Sequence, residues 1–538
     1  MEKKRQELEI IKSKGQTKKE GNRNFYSGVL VLSLSAVIVK IIGLVYKIPM
    51  LRLLGSEGMG YFNSAYEIYA LLCVISTAGL PVAMSVMISR ERDGAESIFK
   101  ASIRLFLALG VLGSALMLGF SYPLAIFLGS DKSFYCILAI APTLFFICVT
   151  SAYRGYFQGL SRMMPTAVSQ VIEALGKHVL GLLFSYISLI SGFAVEIVAA
   201  FAVLGLLCGS AISSLYLLLV KRFKKETLRV GLSEETRGIT KELISSAFPI
   251  TLSAAVVSVT KMIDMTMILR RLQDIGYSGE QAFSAYGGYT TLCLPLFSLA
   301  PALIGSVAMP ILPKLSHAIA LGDWETQTET VNDGIRLTSI IAMPVSVGLS
   351  LFSKEILELL FCGEDSAIEL CAPLLTILSL SITFSCMVTL GNAILQAYGR
   401  PSLPLLAMGV GAVIKIILAY FLIGNISMNI AGAPISTFFC DLVINILNFH
   451  FISRLVPGKL NVGKTFVAPF AAAAISIGAS KLIYGAMSAR LGEGAVLTLC
   501  AIALAAIMYL VTCIVLKVID INEIKRTVTV RGKSSATD

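Results

Sequence analysis

The stretch SGVLVLSLSAVIVKIIGLVYKIPML, residues 27–51, decides the fold class. Coiled as an α-helix it extends about 37 Å, enough to cross a hydrocarbon layer of about 30 Å. Its only charged side chains are Lys40 and Lys47, seven residues apart and so on nearly one helical face. A charge at that depth is costly unless it faces water or a partner, so the span reads as one wall of a polar cavity.

The rest of the chain repeats the pattern. Of 538 residues, 56% are hydrophobic and only 14% charged, the composition of a polytopic membrane protein and not of a soluble enzyme. Fourteen spans are expected: residues 27–51, 61–89, 103–122, 134–157, 166–190, 193–220, 243–269, 282–312, 335–352, 368–397, 403–423, 430–452, 466–486 and 495–516, the ninth of them short. Threaded alternately through a bilayer, they leave only Arg52, Lys132, Arg270, Arg271, Lys354 and Arg490 in the odd-numbered loops. The tails and even-numbered loops take most of the other Lys and Arg. By the positive-inside rule both termini are cytoplasmic. The net charge of +11 therefore reports orientation and requires no nucleic-acid partner. The basic tail at residues 1–26 reads as a retention signal ahead of an uncleaved first helix. The eleven cysteines lie mostly in apolar runs with no Cys-x-x-Cys pair, and His178, His317 and His450 are scattered, so neither a disulfide framework nor a zinc site is indicated.

An internal repeat organises the chain. Gln158, Arg162 and Lys177 recur as Gln396, Arg400 and Lys415 at one constant offset. Six spans on each side make two lobes in the same orientation, a parallel repeat about an axis along the membrane normal. The expected divisions are an N-lobe at 27–220, a basic cytoplasmic linker at 221–241, a C-lobe at 242–454, two further spans at 455–519 and a cytoplasmic tail at 520–538.

Leu54-Gly55-Ser56-Glu57-Gly58-Met59-Gly60-Tyr61, Ala65-Tyr66-Glu67-Ile68-Tyr69, Ser76-Thr77-Ala78-Gly79-Leu80-Pro81-Val82-Ala83 and Tyr153-Arg154-Gly155-Tyr156-Phe157-Gln158-Gly159 carry a resemblance that covers essentially the whole chain. It resembles the stage V sporulation protein B and MurJ-like branch of the multidrug/oligosaccharidyl-lipid/polysaccharide (MOP) exporter superfamily. The resemblance implies an all-α fold of two six-helix lobes plus two C-terminal helices, forming a V around a cavity that opens alternately to either side. It implies a flippase and not an enzyme, with a polyprenyl-diphosphate-linked cell-wall precursor such as lipid II as partner and a groove at the last two helices for the lipid tail. It also places Arg154 and Gln158 among the substrate-binding candidates. Where the family has Ser-Lys after the Gly-Leu-Pro run this chain has Ser85-Val86, so no substrate cation is expected there.

The residues themselves point to an anionic cargo. Lys40 and Lys47, with Arg52 at the outer end of the first span, are matched by Lys261, with Arg270 and Arg271 at the outer end of the seventh. A diphosphate needs several fixed donors, and Lys and Arg supply them as a point charge and a planar fork. Arg271 reads as a residue that snorkels to headgroups, Arg52 and Arg270 suit either role, and the three lysines lie too deep for that. Glu67 is an ion-pair partner for the lysines or a protonation switch. Asp264, Asp441 and Asn445 can offer oxygens to a coupling Na+, with a Lys261–Asp264 pair as the plain alternative, and H+ coupling stays open. Glu173 and Lys177, at i and i+4, suggest an internal ion pair, which leaves Lys415 facing a cavity or the cytoplasm. Pro295 and Pro301 mark a hinge, and Gly155-x-x-x-Gly159 and Gly205-x-x-x-Gly209 mark close helix packing.

Gly458-Lys459-Leu460-Asn461-Val462-Gly463-Lys464-Thr465 matches a phosphate-binding loop, but it joins two spans and follows no strand, so no nucleotide or other cofactor is expected. A drug antiporter would want an acidic cavity for organic cations. A membrane glycosyltransferase would want carboxylates or histidines in a large external loop, and no odd-numbered loop is large. A monomer suffices for all of this.

Cysteine labelling on a background cleared of reactive native cysteines tests the threading. An impermeant reagent in intact cells is expected to reach residues 271–280 and not 221–241, and the reverse result would invert the topology.

Overall fold

The computed structural model describes residues 45–91, 94–223, 236–458, 463–492 and 494–516, together with 35, 38, 39, 42 and 43. Lys40 lies outside the described residues, as do both tails, residues 224–235 of the linker and residues 459–462 of the loop-like motif. Among the described residues all regular structure is helical, and twelve helices are long and apolar enough to cross a membrane. They correspond to expected spans three to fourteen. The end of span one and the whole of span two form a pair, Val45–Val74 and Thr77–Arg90, bent by 60°. The first span lies largely outside the described residues, so the count of fourteen is compatible with what is described.

The contacts divide the chain into two compact units, residues 1–269 with 279–287, and residues 270–278 with 288–538. The first contains α1 (Val45–Val74), α2 (Leu80–Arg90), α3 (Ala95–Gly119), α4 (Ser121–Leu128), α5 (Phe134–Ile140), α6 (Thr143–Gly159), α7 (Met163–Ile190), α8 (Val195–Phe223), most of α9 (Thr236–Asp274) and nearly all of α10 (Gly279–Gly288). The boundary thus falls one span later than the basic linker. The physical reason is close backbone packing: a Cβ on Gly79 would stand 2.3 Å from the Ala247 carbonyl of α9, and one on Gly60 would stand 2.1 Å from the Phe283 carbonyl of α10. Within α1, Gly55 has φ +65°, a left-handed step that breaks a right-handed helix where the sequence ends span one and begins span two.

The core of this unit joins Leu80, Met84 and Ile88 of α2, Phe99 and Phe106 of α3, Ala152, Tyr156 and Phe157 of α6, Leu217 of α8, and Leu243 and Ala247 of α9. Both small-residue motifs act in packing as expected. Gly155 and Gly159 press on Pro81 and Ile88 of α2, and Gly205 and Gly209 lie against Gly181 and Lys177 backbone of α7, where no Cβ fits.

The second unit contains α11 (Leu294–Ala320), α12 (Trp324–Leu351), α13 (Ser353–Leu360), α14 (Asp365–Ala397), α15 (Ser402–Ile423), α16 (Gly432–Leu455), α17 (Ala468–Leu491) and α18 (Ala495–Val515). Ile304, Ile335, Ile382, Leu390 and Ile452 centre its main core. A second cluster, with Met343 and Phe352 against Ala472, Ile477, Tyr484 and Tyr509, packs the last two helices on α12 and α13. The ninth span is not short. Its helix starts at Trp324, where the Asp323 carboxylate accepts from the Thr326 N–H at 3.0 Å and caps the free end. The Thr326 N–H and hydroxyl hold the Asp323 carboxyl below its usual range. The interruption of the eighth span is a π-helical turn at Tyr289–Cys293, with Pro295 beginning the helix after it.

Ion pairs and hydrogen bonds inside each unit join loops of one parity, as alternate threading demands. Lys132 of loop three pairs with Glu280 of loop seven at 2.5 Å and approaches Glu57 of loop one at 4.0 Å. Lys221 of loop six pairs with Glu96 of loop two at 3.1 Å, its ammonium 3.7 Å from the Phe99 ring centre. In the second unit Tyr398 of loop ten donates to Gln327 of loop eight.

The constant offset between the halves recurs in the backbone. After α6, the amides of Leu160, Ser161 and Arg162 donate to the carbonyls of Tyr156, Gln158 and Phe157; after α14, those of Tyr398, Gly399 and Arg400 donate to Ile394, Gln396 and Leu395. The left-handed residue is Ser161 at φ +60° in the first turn and Gly399 at φ +70° in the second. A side chain in that region costs about 1–2 kcal/mol, so Gly399→Ala is expected to lower the thermal midpoint of the purified protein. Ser161→Gly is expected to leave it unchanged or raise it. Equal losses in both variants would show that the two turns are not equivalent.

Candidate functional site

The polar residues of the first unit gather inside the bundle. The helical period brings Tyr46, Lys47 and Met50 of α1 to one side, and the Ala65-Tyr66-Glu67-Ile68-Tyr69 run further along α1 supplies the facing carboxylate. Glu67 is half-buried and within electrostatic range of Lys261, Lys47 and Asp264. Three of the sequence candidates, Lys47, Lys261 and Asp264, thus lie within electrostatic range of a fourth, Glu67, while Lys40 lies outside the described residues. Lys47 is half-buried and Lys261 is exposed. Asp264 shares its helix with Lys261, one turn away.

A second polar network lies alongside. Arg154 of α6 pairs with Glu173 of α7 at 2.8 Å, and its Nε donates to Ser169 Oγ at 2.9 Å. Its Nη2 reaches Ser213 Oγ of α8 at 3.5 Å. The expected Glu173–Lys177 pair is therefore corrected: Glu173 is taken by Arg154, whose planar fork spans the gap between helices and satisfies a carboxylate and a hydroxyl together. Lys177 instead belongs to the seam where its backbone meets Gly209. Gln158, one turn beyond Arg154, is half-buried. Tyr66 joins the two networks, within electrostatic range of both Glu67 and Glu173, with its ring 5.9 Å from that of Tyr69.

The outer candidates separate. Arg52 is exposed in the first unit, and Arg270 is half-buried in the second. Arg271 does not simply reach for headgroups. Its guanidinium carbon stands 4.1 Å from the centre of the Tyr420 ring, its Nε donates to the Tyr420 carbonyl at 3.1 Å, and its Nη1 pairs with Asp274 at 2.7 Å.

In the second unit Asp441 is within electrostatic range of Lys415 and accepts a hydrogen bond from Ser385. Lys415 thus faces a carboxylate that spacing along its own helix did not reveal. The Asn445 side-chain amide donates to the carbonyls of Phe384 and Asp441 at 2.8 and 2.7 Å, and Asp441 Oδ2 is buried without a hydrogen-bond partner. Carboxylate and amide oxygens fit a hard cation. Asp264 belongs to the first unit and Asp441 and Asn445 to the second. Among the described residues no three His, Cys, Asp or Glu side chains form a metal-binding group.

One signal was legible but unused. Ser64-Ala65-Tyr66-x-x-Tyr69-x-x-Leu72-Cys73 recurs as Ser284-Ala285-Tyr286-x-x-Tyr289-x-x-Leu292-Cys293. At the position of Glu67 the second copy has Gly287, where a Cβ would stand 1.9 Å from the Ser56 carbonyl. The second copy spends the position on close packing. Glu67 therefore has no counterpart in the second copy of the repeat.

Comparison with known proteins agrees with this architecture. The family model described as polysaccharide biosynthesis protein matches residues 25–318, and the MatE model matches residues 249–421. The chain is 24% identical to stage V sporulation protein B of Bacillus subtilis (strain 168) over 518 residues, 94% of this chain and 98% of that protein. It is 26% identical to the lipid II flippase MurJ of the same organism over 419 residues, 73% of this chain and 76% of that one. Among solved structures, a lipid II flippase MurJ in an inward closed conformation superposes with a TM-score of 0.69 at 15% identity, covering 90% of this chain and 98% of that one. An inward-facing multidrug resistance MATE family transporter gives 0.65 at 18%, covering 80% and 98%. At these identities the structures speak to the fold alone. With more than half its length matched by the family model, a helical membrane bundle throughout, and transporters and flippases rather than enzymes as its relatives, the chain belongs to the polysaccharide biosynthesis protein family within the MOP exporter superfamily.

Proposed function

We propose that the protein is a flippase that moves a polyprenyl-diphosphate-linked cell-wall precursor, lipid II in the first instance, across the plasma membrane by alternating access, with both termini cytoplasmic and the monomer as working unit. The observation that carries this is the placement of Lys47 and Lys261 within electrostatic range of Glu67 in the first unit. Likeness to a lipid II flippase over 73% of the chain supports the same class of cargo.

The charge balance suggests how transport is coupled. Lys47 and Lys261 against Glu67 and Asp264 sum to zero, so a diphosphate meets a net positive site only once a carboxylate is neutralised. A proton on Glu67 or a sodium ion at Asp264 does this, and a bound cation then raises the affinity for the anion. Lys40, on the face of Lys47 by spacing, adds a third ammonium. Arg154 is already satisfied by Glu173, so its role is to hold α6 and α7 together behind the site.

Each ammonium–phosphate contact is worth about 1.5–3 kcal/mol. Replacing Lys40, Lys47 and Lys261 by Ala is therefore expected to weaken binding of a diphosphate-linked muropeptide headgroup at least tenfold for each, with normal membrane insertion. Full-rate flipping by the triple variant in reconstituted vesicles would remove these lysines from the cargo site. Restored growth of cells depleted of their lipid II flippase tests the cargo itself.

Neutralising a carboxylate should mimic the coupling cation. Glu67→Gln is expected to tighten headgroup binding and flatten its pH dependence, and Asp264→Asn to weaken dependence on a sodium gradient. Unchanged ion dependence in both variants, with normal expression, would reduce the two carboxylates to ion-pair partners. The MatE match over residues 249–421 keeps a cation-coupled drug antiporter as the second reading. Binding of a cationic dye lost in Glu67→Gln, with no binding of the anionic headgroup, would select it.

A further inference from the structure

The turn between α14 and α15 and the last turn of α16 enclose a pocket lined by Arg400, Ser402, Leu403, Phe451, Arg454 and Leu455. Arg400 and Arg454 are both exposed, and among the described residues neither guanidinium has a hydrogen-bonding or ionic partner. Behind them Leu403, Phe451 and Leu455 are packed on the main core of the second unit, so the pocket has a fixed apolar floor and two cationic forks at its rim. Both arginines stand at span ends, in loops ten and twelve, the depth at which lipid phosphates lie. Two other basic span ends, at Lys221 and Arg271, are treated differently. Lys221 is paired with Glu96 and stacked on aromatic rings, and Arg271 is paired with Asp274 and seated on Tyr420.

We propose that this pocket binds the phosphate headgroup of an anionic phospholipid, with phosphatidylglycerol as the simplest example. A guanidinium fork meets phosphate oxygens two at a time, and two of them on one pocket match a phosphodiester better than scattered lysines do. The apolar floor takes the glycerol and first methylenes of the acyl chains, which a free anion does not supply. Basic pockets between span ends on the face bearing most of the Lys and Arg are where acidic headgroups are recognised. The pocket lies wholly within the second unit and does not share residues with the Lys47–Glu67–Lys261 site, so the inference stands independently of the cargo.

The test uses the full-length protein in detergent, with native mass spectrometry as readout of bound lipid, titrated with phosphatidylglycerol and with phosphatidylcholine of the same chains. The wild type is expected to bind phosphatidylglycerol in preference. The R400Q/R454Q variant is expected to lose about tenfold or more in apparent affinity for it, with no change towards phosphatidylcholine. The R90Q/R222Q variant, which removes two arginines elsewhere in even-numbered loops, is expected to behave as wild type. Equal loss in both double variants would make the effect one of net charge and overturn the site. Complete displacement of the lipid by millimolar inorganic phosphate would make it an adventitious anion site, and would equally overturn it.

Discussion

The bilayer interior offers no water to a polar group, and that constraint governs the whole molecule. Every charge placed between the ends of a span must be met by another group of the protein or by water in a cavity. Arg154 and Glu173 illustrate the first solution: a guanidinium on α6 is closed off by a carboxylate and Ser169 on α7 and by Ser213 on α8. Removing either partner would strand the other, at a cost of about 3–5 kcal/mol by analogy with buried pairs elsewhere. Glu67 illustrates the second solution. It faces two lysines and an aspartate across a half-buried space, where its charge can be balanced in more than one way.

Close backbone approach is the other condition for such a bundle. Lipid is as apolar as leucine, so helices gain little by hiding leucines from it and must gain by packing. Gly60 against Phe283, Gly205 against Gly181 and Gly209 against Lys177 bring backbones to distances that a Cβ forbids. These contacts set which spans form one compact body. They carry α9 and the start of α10 into the first unit, where Lys261 and Asp264 can meet Glu67. The packing glycines thus position the polar site, although none of them touches it.

The two halves are alike in backbone and unlike in chemistry. The same three hydrogen bonds close the turns after α6 and α14, and the same Ser-Ala-Tyr-x-x-Tyr-x-x-Leu-Cys motif opens the second span of each half. Yet Glu67 in one copy is Gly287 in the other, and the carboxylate of the second unit, Asp441, sits on α16 beside Lys415 and Ser385. The duplicated scaffold therefore carries its intramembrane carboxylates at different places in the two units, with different neighbours.

The sequence alone determined the class and most of the spans, because these depend on composition and on runs of about twenty apolar residues, which are local properties. It also placed Lys47, Glu67, Lys261 and Asp264 among the candidates, because an intramembrane charge is conspicuous wherever it stands. Periodicity along one helix could not say which charges meet across helices. It paired Glu173 with Lys177, where the fold pairs it with Arg154, and it left Lys415 without an acid, where the fold supplies Asp441 from another helix. It also began the ninth span at Ile335, since the polar first turns of α12 lack the apolar signal that marks a span. Partner choice was decided only in the tertiary structure, because an ion pair forms between atoms a few ångströms apart in space, and glycine contacts between distant segments set those separations.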